Sequence, residues 1–297
     1  MQRELCWIQN ERLRVGISPQ GAEVCDIVDT ASGQSMLWCG DPAVFNGHSP
    51  VLFPYTGRLT GDCHVAKGGQ YRGSYHGFAR MMRHEVVCHE ENHLTLSLSE
   101  SEETLAIWPY KFILESDFVL EGTTLHHVLT VKNNGEEQIQ FGMGFHPAFA
   151  VPFDEDHVPE DYVIAFDELE SPMCVDTSAG GLQSGKIYYL ARNVKEIPVT
   201  QDMFHQGSHC MVNLRSRKVS LAEKGSGRRI EVDVEHFPYV LLWSSSKKPL
   251  RFLCIEPWQS LPGENLAEQK WEDKPAAAVL MPGEEYRCEL KTTYVMK

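Results

Sequence analysis

What this sequence lacks narrows it first. No apolar run approaches the roughly 20 residues that a membrane-spanning helix needs. The first ten residues, Met1–Asn10, carry Arg3 and Glu4 where a signal peptide would be apolar. There is no C-x-x-C pair, and the nine cysteines are scattered and odd in number. That pattern fits free thiols in a reducing cytosol better than a disulfide framework or a zinc ribbon. Basic residues are in the minority, with 27 Lys and Arg against 41 Asp and Glu, a formal charge of −14. A surface of that sign repels nucleic acid and anionic membranes alike. Helical periodicity is scarce, and only Asn265–Trp271 and Asp41–Phe45 suggest a short helix or helical turn. A neutral or small polar ligand in a local pocket stays open.

What is present is alternation. Thr95–Leu98, Phe112–Leu120, Leu125–Val131 and Tyr286–Tyr294 switch between apolar and polar residues with the period of a half-buried strand. Turn signals sit between such segments at Glu121–Thr123, Asn133–Gly135, Gly225–Gly227 and Pro282–Glu284. Leu5–Ile8 and Leu13–Ile17 form an opening hairpin around Asn10–Glu11. Val219–Leu221 and Ile230–Val234 form another, and Val240–Trp243 and Phe252–Ile255 read as fully buried strands. Strands this dense with so few helices specify an all-β sandwich or barrel. Phe153–Glu160 and Ser178–Gly185 read as surface loops rather than boundaries, so residues 1–297 are expected to form one domain.

His89-Glu-Glu-Asn-His93 is a literal H-E-x-x-H. A zinc protease needs those histidines one turn apart on a helix. Here strand-like Glu85–Cys88 and Leu94–Leu98 flank the motif and put its centre at a hairpin tip, so no metal site is expected. His126 and His127 are adjacent on a strand and must face opposite ways.

Four segments carry chemistry-bearing residues in conformationally special surroundings: Ser49–Pro54 running into Gly57-Arg58-Leu59, His76–Arg80, Phe141–Phe149 around His146-Pro147, and Cys254–Trp258 around Glu256. Taken singly, a histidine before a proline is an ordinary structural hydrogen-bonder, and a glutamate at a strand end is ordinarily solvated. Taken together they offer histidine, glutamate, arginine and aromatics without a nucleophile elbow. That set suits general acid–base chemistry on a polyhydroxylated ligand, with Trp258 and phenylalanines offering apolar faces to a sugar ring.

These residues, in this order, resemble the aldose 1-epimerase (galactose mutarotase-like) family, and its LacX-like branch in particular. The resemblance runs over nearly the whole chain, from Gly21–Val24 through Pro50–Pro54, Gly57–Leu59, His76–Arg80, Phe145–Phe149, Ser216–Leu221 and Ile255–Trp258 to Leu280–Glu284. It implies a large antiparallel β-sandwich, sometimes called a supersandwich. It also implies a cytoplasmic, cofactor-independent isomerase, a monomer or homodimer with a small sugar as its partner. It places His146 as general acid, Glu256 as general base, and Arg58 and His76 as sugar-binding residues. The sequence departs from the family where a sugar-binding aspartate should precede the Val219 strand. Gly207 and its neighbours stand there, with Asp202 a few residues earlier. Gln259–Gly263 also lacks an aspartate common among close relatives.

The implied reaction interconverts the anomers of a hexose by opening and reclosing its hemiacetal ring. Two alternatives remain: a hexose-phosphate 1-epimerase, for which Arg58, Arg80 and Arg83 are candidate phosphate ligands, and a carbohydrate-binding or regulatory protein without turnover.

Overall fold

The computed structural model describes residues 4–265, 270–274 and 278–296. Two large antiparallel sheets dominate it, as the alternating segments require. The nine-stranded sheet runs from an edge at Val194–Pro198 to an edge at Glu85–His89. At its centre, Thr124–Lys132 pairs with Ile113–Glu121 on one side and Glu285–Val295 on the other. The eight-stranded sheet runs from Ile187–Tyr189 through Met173–Val175, His209–Val212, Tyr239–Trp243, Phe252–Trp258 and Gly144–Phe145 to Val51–Leu52, with Ala148–Ala150 also on Phe252–Trp258.

One face of each sheet packs on the other. The buried His127 ring lies tilted against Phe118 of its own sheet at 4.1 Å and meets Phe145 of the opposite sheet edge-on at 4.9 Å. Its neighbour His126 points away and binds Glu289 at 2.8 Å. Phe252–Trp258 is buried along its whole length, on both faces. Leu253 and Ile255 enter the core between the sheets, while Phe252, Cys254 and Trp258 pack in separate clusters on the other face. Side chains alternate along a strand, so Glu256 belongs to that second face. The strand therefore continues past Ile255, and Glu256 sits inside it rather than at its end.

Among the two helical expectations, Asp41–Phe45 is a turn, with the amides of Val44 and Phe45 both donating to the Asp41 carbonyl at 2.9 Å. Residues 266–269 of Asn265–Trp271 lie outside the described residues, and its last residue opens a 3-10 turn, Trp271–Asp273. A four-residue helix, Glu102–Leu105, was not expected; it is held by a capping box between Ser101 and Thr104. His89 and His93 do lie on the two arms of a hairpin, one bonding the Trp7 carbonyl and the other facing Thr95 and Asp117.

Candidate active site

His146 and Glu256 come together through sheet register. Gly144 pairs with Trp258 and Ala148 with Cys254. The same antiparallel register between those two pairs sets His146 opposite Glu256, where facing side chains are nearest neighbours. Their Nε2 and Oε2 atoms are 3.3 Å apart, with side-chain exposures of 8% and 2%. Phe45 stacks on the imidazole at 5.5 Å, and Trp243 meets it edge-on at 5.6 Å. Both residues line a cavity of about 400 Å³ on the outer face of the eight-stranded sheet, large enough for one hexose.

Burial sets the protonation of the pair. It raises the Glu256 carboxyl well above its ordinary value and lowers His146 to about 4, with Arg80 adding to the depression. Both groups are therefore favoured in their neutral forms, and the pair's single proton rests on the carboxyl. The general-acid form of His146 is the other tautomer of this pair, with that proton on the imidazole, whose Nε2 stands 3.3 Å from Oε2. Two buried atoms, His146 Nδ1 and Glu256 Oε2, have no hydrogen-bond partner among the described residues.

His76 lies beside the pair, its ring edge-on to His146 at 5.3 Å and to Trp258 at 5.5 Å. Its backbone is left-handed, with φ +63°, and Gly77 follows at φ +71°. A Cβ on Gly77 would stand 2.0 Å from the Phe53 carbonyl oxygen, so only glycine permits this approach. The Gly57 amide donates to His76 Nδ1 at 3.0 Å. That fixes a neutral imidazole with its proton on Nε2. Burial, then His146 and Arg80, hold His76 well below its ordinary value and keep it neutral.

Arg58 has a different position from its neighbour. Gly57 lines the cavity and Arg58 does not. Its guanidinium grips Asp62 with two bonds of 2.6 and 2.8 Å and donates to the Gly180 carbonyl at 3.0 Å. The Tyr75 hydroxyl donates to the same carbonyl at 2.7 Å. Arg58 thus holds the segment that follows Val175, and Thr177 and Gly181 of that segment form cavity wall. The arginine that does line the cavity is Arg80. It donates through Nε to the Tyr75 carbonyl at 3.2 Å and makes no ion pair among the described residues. Arg83 binds Glu4 at the surface.

Gly207 and Ser208 also line the cavity, and the Ser208 hydroxyl is 3.1 Å from that of Thr177. Phe45, Thr177, Ser208, Leu241 and Trp243 carry no local motif. Leu241 and Trp243 enter the site through strand pairing, while Phe45, Thr177 and Ser208 reach it from a turn and from strand ends.

The family model for aldose 1-epimerase matches residues 4–293. The chain belongs to the aldose 1-epimerase family. As a family member it is a sugar epimerase in the broad sense. It is 30% identical over 286 residues to the chromosomal LacX protein of Lactococcus lactis, covering 93% of this chain and 94% of that one. Among solved structures, a galactose mutarotase related enzyme from Lactobacillus acidophilus superposes with a TM-score of 0.90 at 28% identity, covering 99% of this epimerase and 98% of its own chain. A galactose mutarotase-like protein from Lactobacillus casei gives 0.91 at 27%, covering 98% and 99%. No helix among the described residues is long and apolar enough to cross a membrane.

Proposed function

We propose that this epimerase is a mutarotase that interconverts the α and β anomers of a free hexose. The observation that carries the reading is the buried His146–Glu256 pair, 3.3 Å apart at the wall of a hexose-sized cavity. Ring opening needs one base and one acid at the same moment, and a pair holding one proton supplies both.

In the ionised tautomer, Glu256 takes the proton from the C1 hydroxyl while the His146 imidazolium protonates the ring oxygen. The bond between C1 and the ring oxygen breaks, leaving an aldehyde and a free C5 hydroxyl. Rotation about C1–C2 presents the other face of the carbonyl. The C5 oxygen then attacks C1, giving its proton back to His146, and the carbonyl oxygen recovers a proton from Glu256. The pair ends as it began, so no proton is exchanged with solvent. His76, as a fixed neutral donor, is suited to a sugar hydroxyl or ring oxygen beside the reacting centre. Polarimetry on freshly dissolved α-glucose and α-galactose tests this. The wild type should speed the approach to equilibrium, and Glu256→Gln should not.

One observation favours a second reading, in which the hexose carries a phosphate. Arg80 brings a cation to the cavity wall, with no ion pair among the described residues within contact distance and the Glu23 carboxylate acting on it from farther off. A phosphate would meet that need by bidentate pairing. Of the three arginines considered from sequence, only this one is available, since Arg58 and Arg83 are held by Asp62 and Glu4. Faster exchange of glucose 6-phosphate than of glucose, lost in Arg80→Met, would select this reading.

A further inference from the structure

Cys254 is a buried group beside the His146–Glu256 pair that the proton exchange does not use. It stands two residues before Glu256, so both side chains emerge on the same face of their strand. The ladder pairs it with Ala148 on one side and Trp243 on the other. His146 comes to that face from the facing segment. Cys254 Sγ, a ring nitrogen of His146 and a carboxylate oxygen of Glu256 consequently all lie within 4.8 Å of one another, on three buried residues. His146 and Glu256 line the cavity, and Cys254, 0% exposed, lies beneath its wall.

The distances suit a tetrahedral metal ion. His146 Nε2 and Glu256 Oε2 stand 3.3 Å apart, and Oε2 is buried with no hydrogen-bond partner among the described residues. Zinc holds a nitrogen and an oxygen ligand at about 2.0–2.1 Å each, which sets those two atoms about 3.3 Å apart. A thiolate at about 2.3 Å from the ion stands about 3.6 Å from either, so a side-chain movement of about 1.2 Å or less closes the trio. Charge agrees with geometry. A thiolate and a carboxylate neutralise a divalent cation, so the buried centre carries no net charge. The imidazole ligates as a neutral group, and two protons leave, one from the thiol and one from the pair. Burial alone keeps the Cys254 thiol protonated and inert. Coordination removes that proton outright. One sulfur, one nitrogen and one oxygen select a borderline or soft cation, whereas magnesium and calcium take oxygen ligands.

We propose that His146, Cys254 and Glu256 form a binding site for a thiophilic divalent cation, zinc above all, and that the bound ion inhibits the enzyme. The imidazole lone pair and the carboxylate are then held by the metal and exchange no proton with a sugar. The fourth coordination position faces the cavity, where a water or a sugar hydroxyl fills it. Binding stands on the donor geometry alone, and only the inhibition rests on the mutarotase reading.

The test uses the full chain and two readouts, cobalt absorption for binding and anomer exchange of glucose and galactose for inhibition. Co²⁺ should give a thiolate-to-metal charge-transfer band in the near ultraviolet. Zn²⁺ should displace the cobalt and slow exchange, EDTA should restore exchange, and Mg²⁺ should do neither. Cys254→Ala should lose the band. It should also need at least about 100-fold more zinc for the same inhibition, since even changes behind a metal's ligands cost about 10- to 100-fold in affinity. Cys39→Ala, which removes an exposed thiol, should alter neither readout. A band and a zinc sensitivity that survive Cys254→Ala overturn the proposal, as does equal inhibition by Mg²⁺. If Cys254→Ala does not fold, Cys254→Val, closer to cysteine in volume, decides. A Cys254-dependent band in a protein that exchanges no anomers sinks the mutarotase reading and leaves the metal site standing. Exchange that saturating zinc does not slow sinks this proposal alone.

Discussion

Gly57 and His76 hold each other by two hydrogen bonds. The His76 amide donates to the Gly57 carbonyl at 2.8 Å, and the Gly57 amide donates to His76 Nδ1 at 3.0 Å. The ring is thereby locked in one tautomer, its Nε2 proton available beside His146 and Trp258. His76→Asn isolates the role of that proton. Asparagine tolerates the left-handed backbone, and its side-chain oxygen can still accept from Gly57, but it has no donor at the Nε2 position. kcat/KM should fall about 10- to 100-fold with little change in melting temperature. A variant as active as wild type would remove His76 from the site.

The proton shared by His146 and Glu256 dictates an unusual pH profile. His146 gains a second proton only below about 4, and Glu256 loses its own only well above the ordinary carboxyl range. Between those limits the pair holds one proton at every pH. kcat/KM should therefore fall on the acid side near 4, stay flat above it, and fall on the alkaline side only as Glu256 loses its proton, well above the ordinary carboxyl range. An activity that switches with an apparent pKa near 6.5, the value of a free imidazole, would contradict this arrangement.

Glu256 should also work against stability. Its folded pKa is raised, so above the ordinary carboxyl value the unfolded chain releases a proton that the folded chain keeps. Stability from this group is full at acid pH and is lost as pH rises. Glu256→Gln removes the penalty. It should cut the exchange rate at least about 10²–10⁴-fold while raising the melting temperature at pH 7 by about 2 °C or more. His146 has the opposite sign. Its lowered pKa gives stability that is present above about 6.5 and is lost as pH falls towards 4. Thermal scans of both proteins across pH check the two signs together.

Arg58 and Tyr75 meet at one acceptor, the Gly180 carbonyl, and so should behave as one unit. Arg58→Ala and Tyr75→Phe should each raise KM about 3- to 10-fold, more than they lower kcat. The double variant should cost little more than either alone, because the second change removes a support already lost. Multiplicative losses would instead mean that Arg58 reaches the sugar independently of this segment.

The sandwich was legible because its strands announce themselves locally. Ile113–Glu121 and Glu285–Val295 alternate in sequence as they do in burial. Phe252–Trp258 was read short, because a glutamate, a proline and a tryptophan look like a strand's end when the second buried face cannot be seen. His146, Glu256 and His76 were legible as chemistry-bearing residues in constrained segments, and they meet at one cavity. Arg58 was legible only as a cation near a turn. That its charge is spent on Asp62 depends on a side-chain conformation no spacing reveals. Thr177, Ser208 and Trp243 carry no local motif: Trp243 reaches the cavity through the pairing of Tyr239–Trp243 with Phe252–Trp258, and Thr177 and Ser208 from the ends of Met173–Val175 and His209–Val212.

The most direct test is magnetisation transfer between the α and β anomers by NMR at equilibrium, on glucose, galactose and glucose 6-phosphate. It measures exchange itself, apart from spontaneous drift. Wild-type protein should transfer saturation from one anomer to the other on at least one of these sugars, and His146→Asn and Glu256→Gln, both folded, should not. Transfer that persists in both variants, or none in the wild type while a sugar still shifts the protein's resonances, would contradict the account.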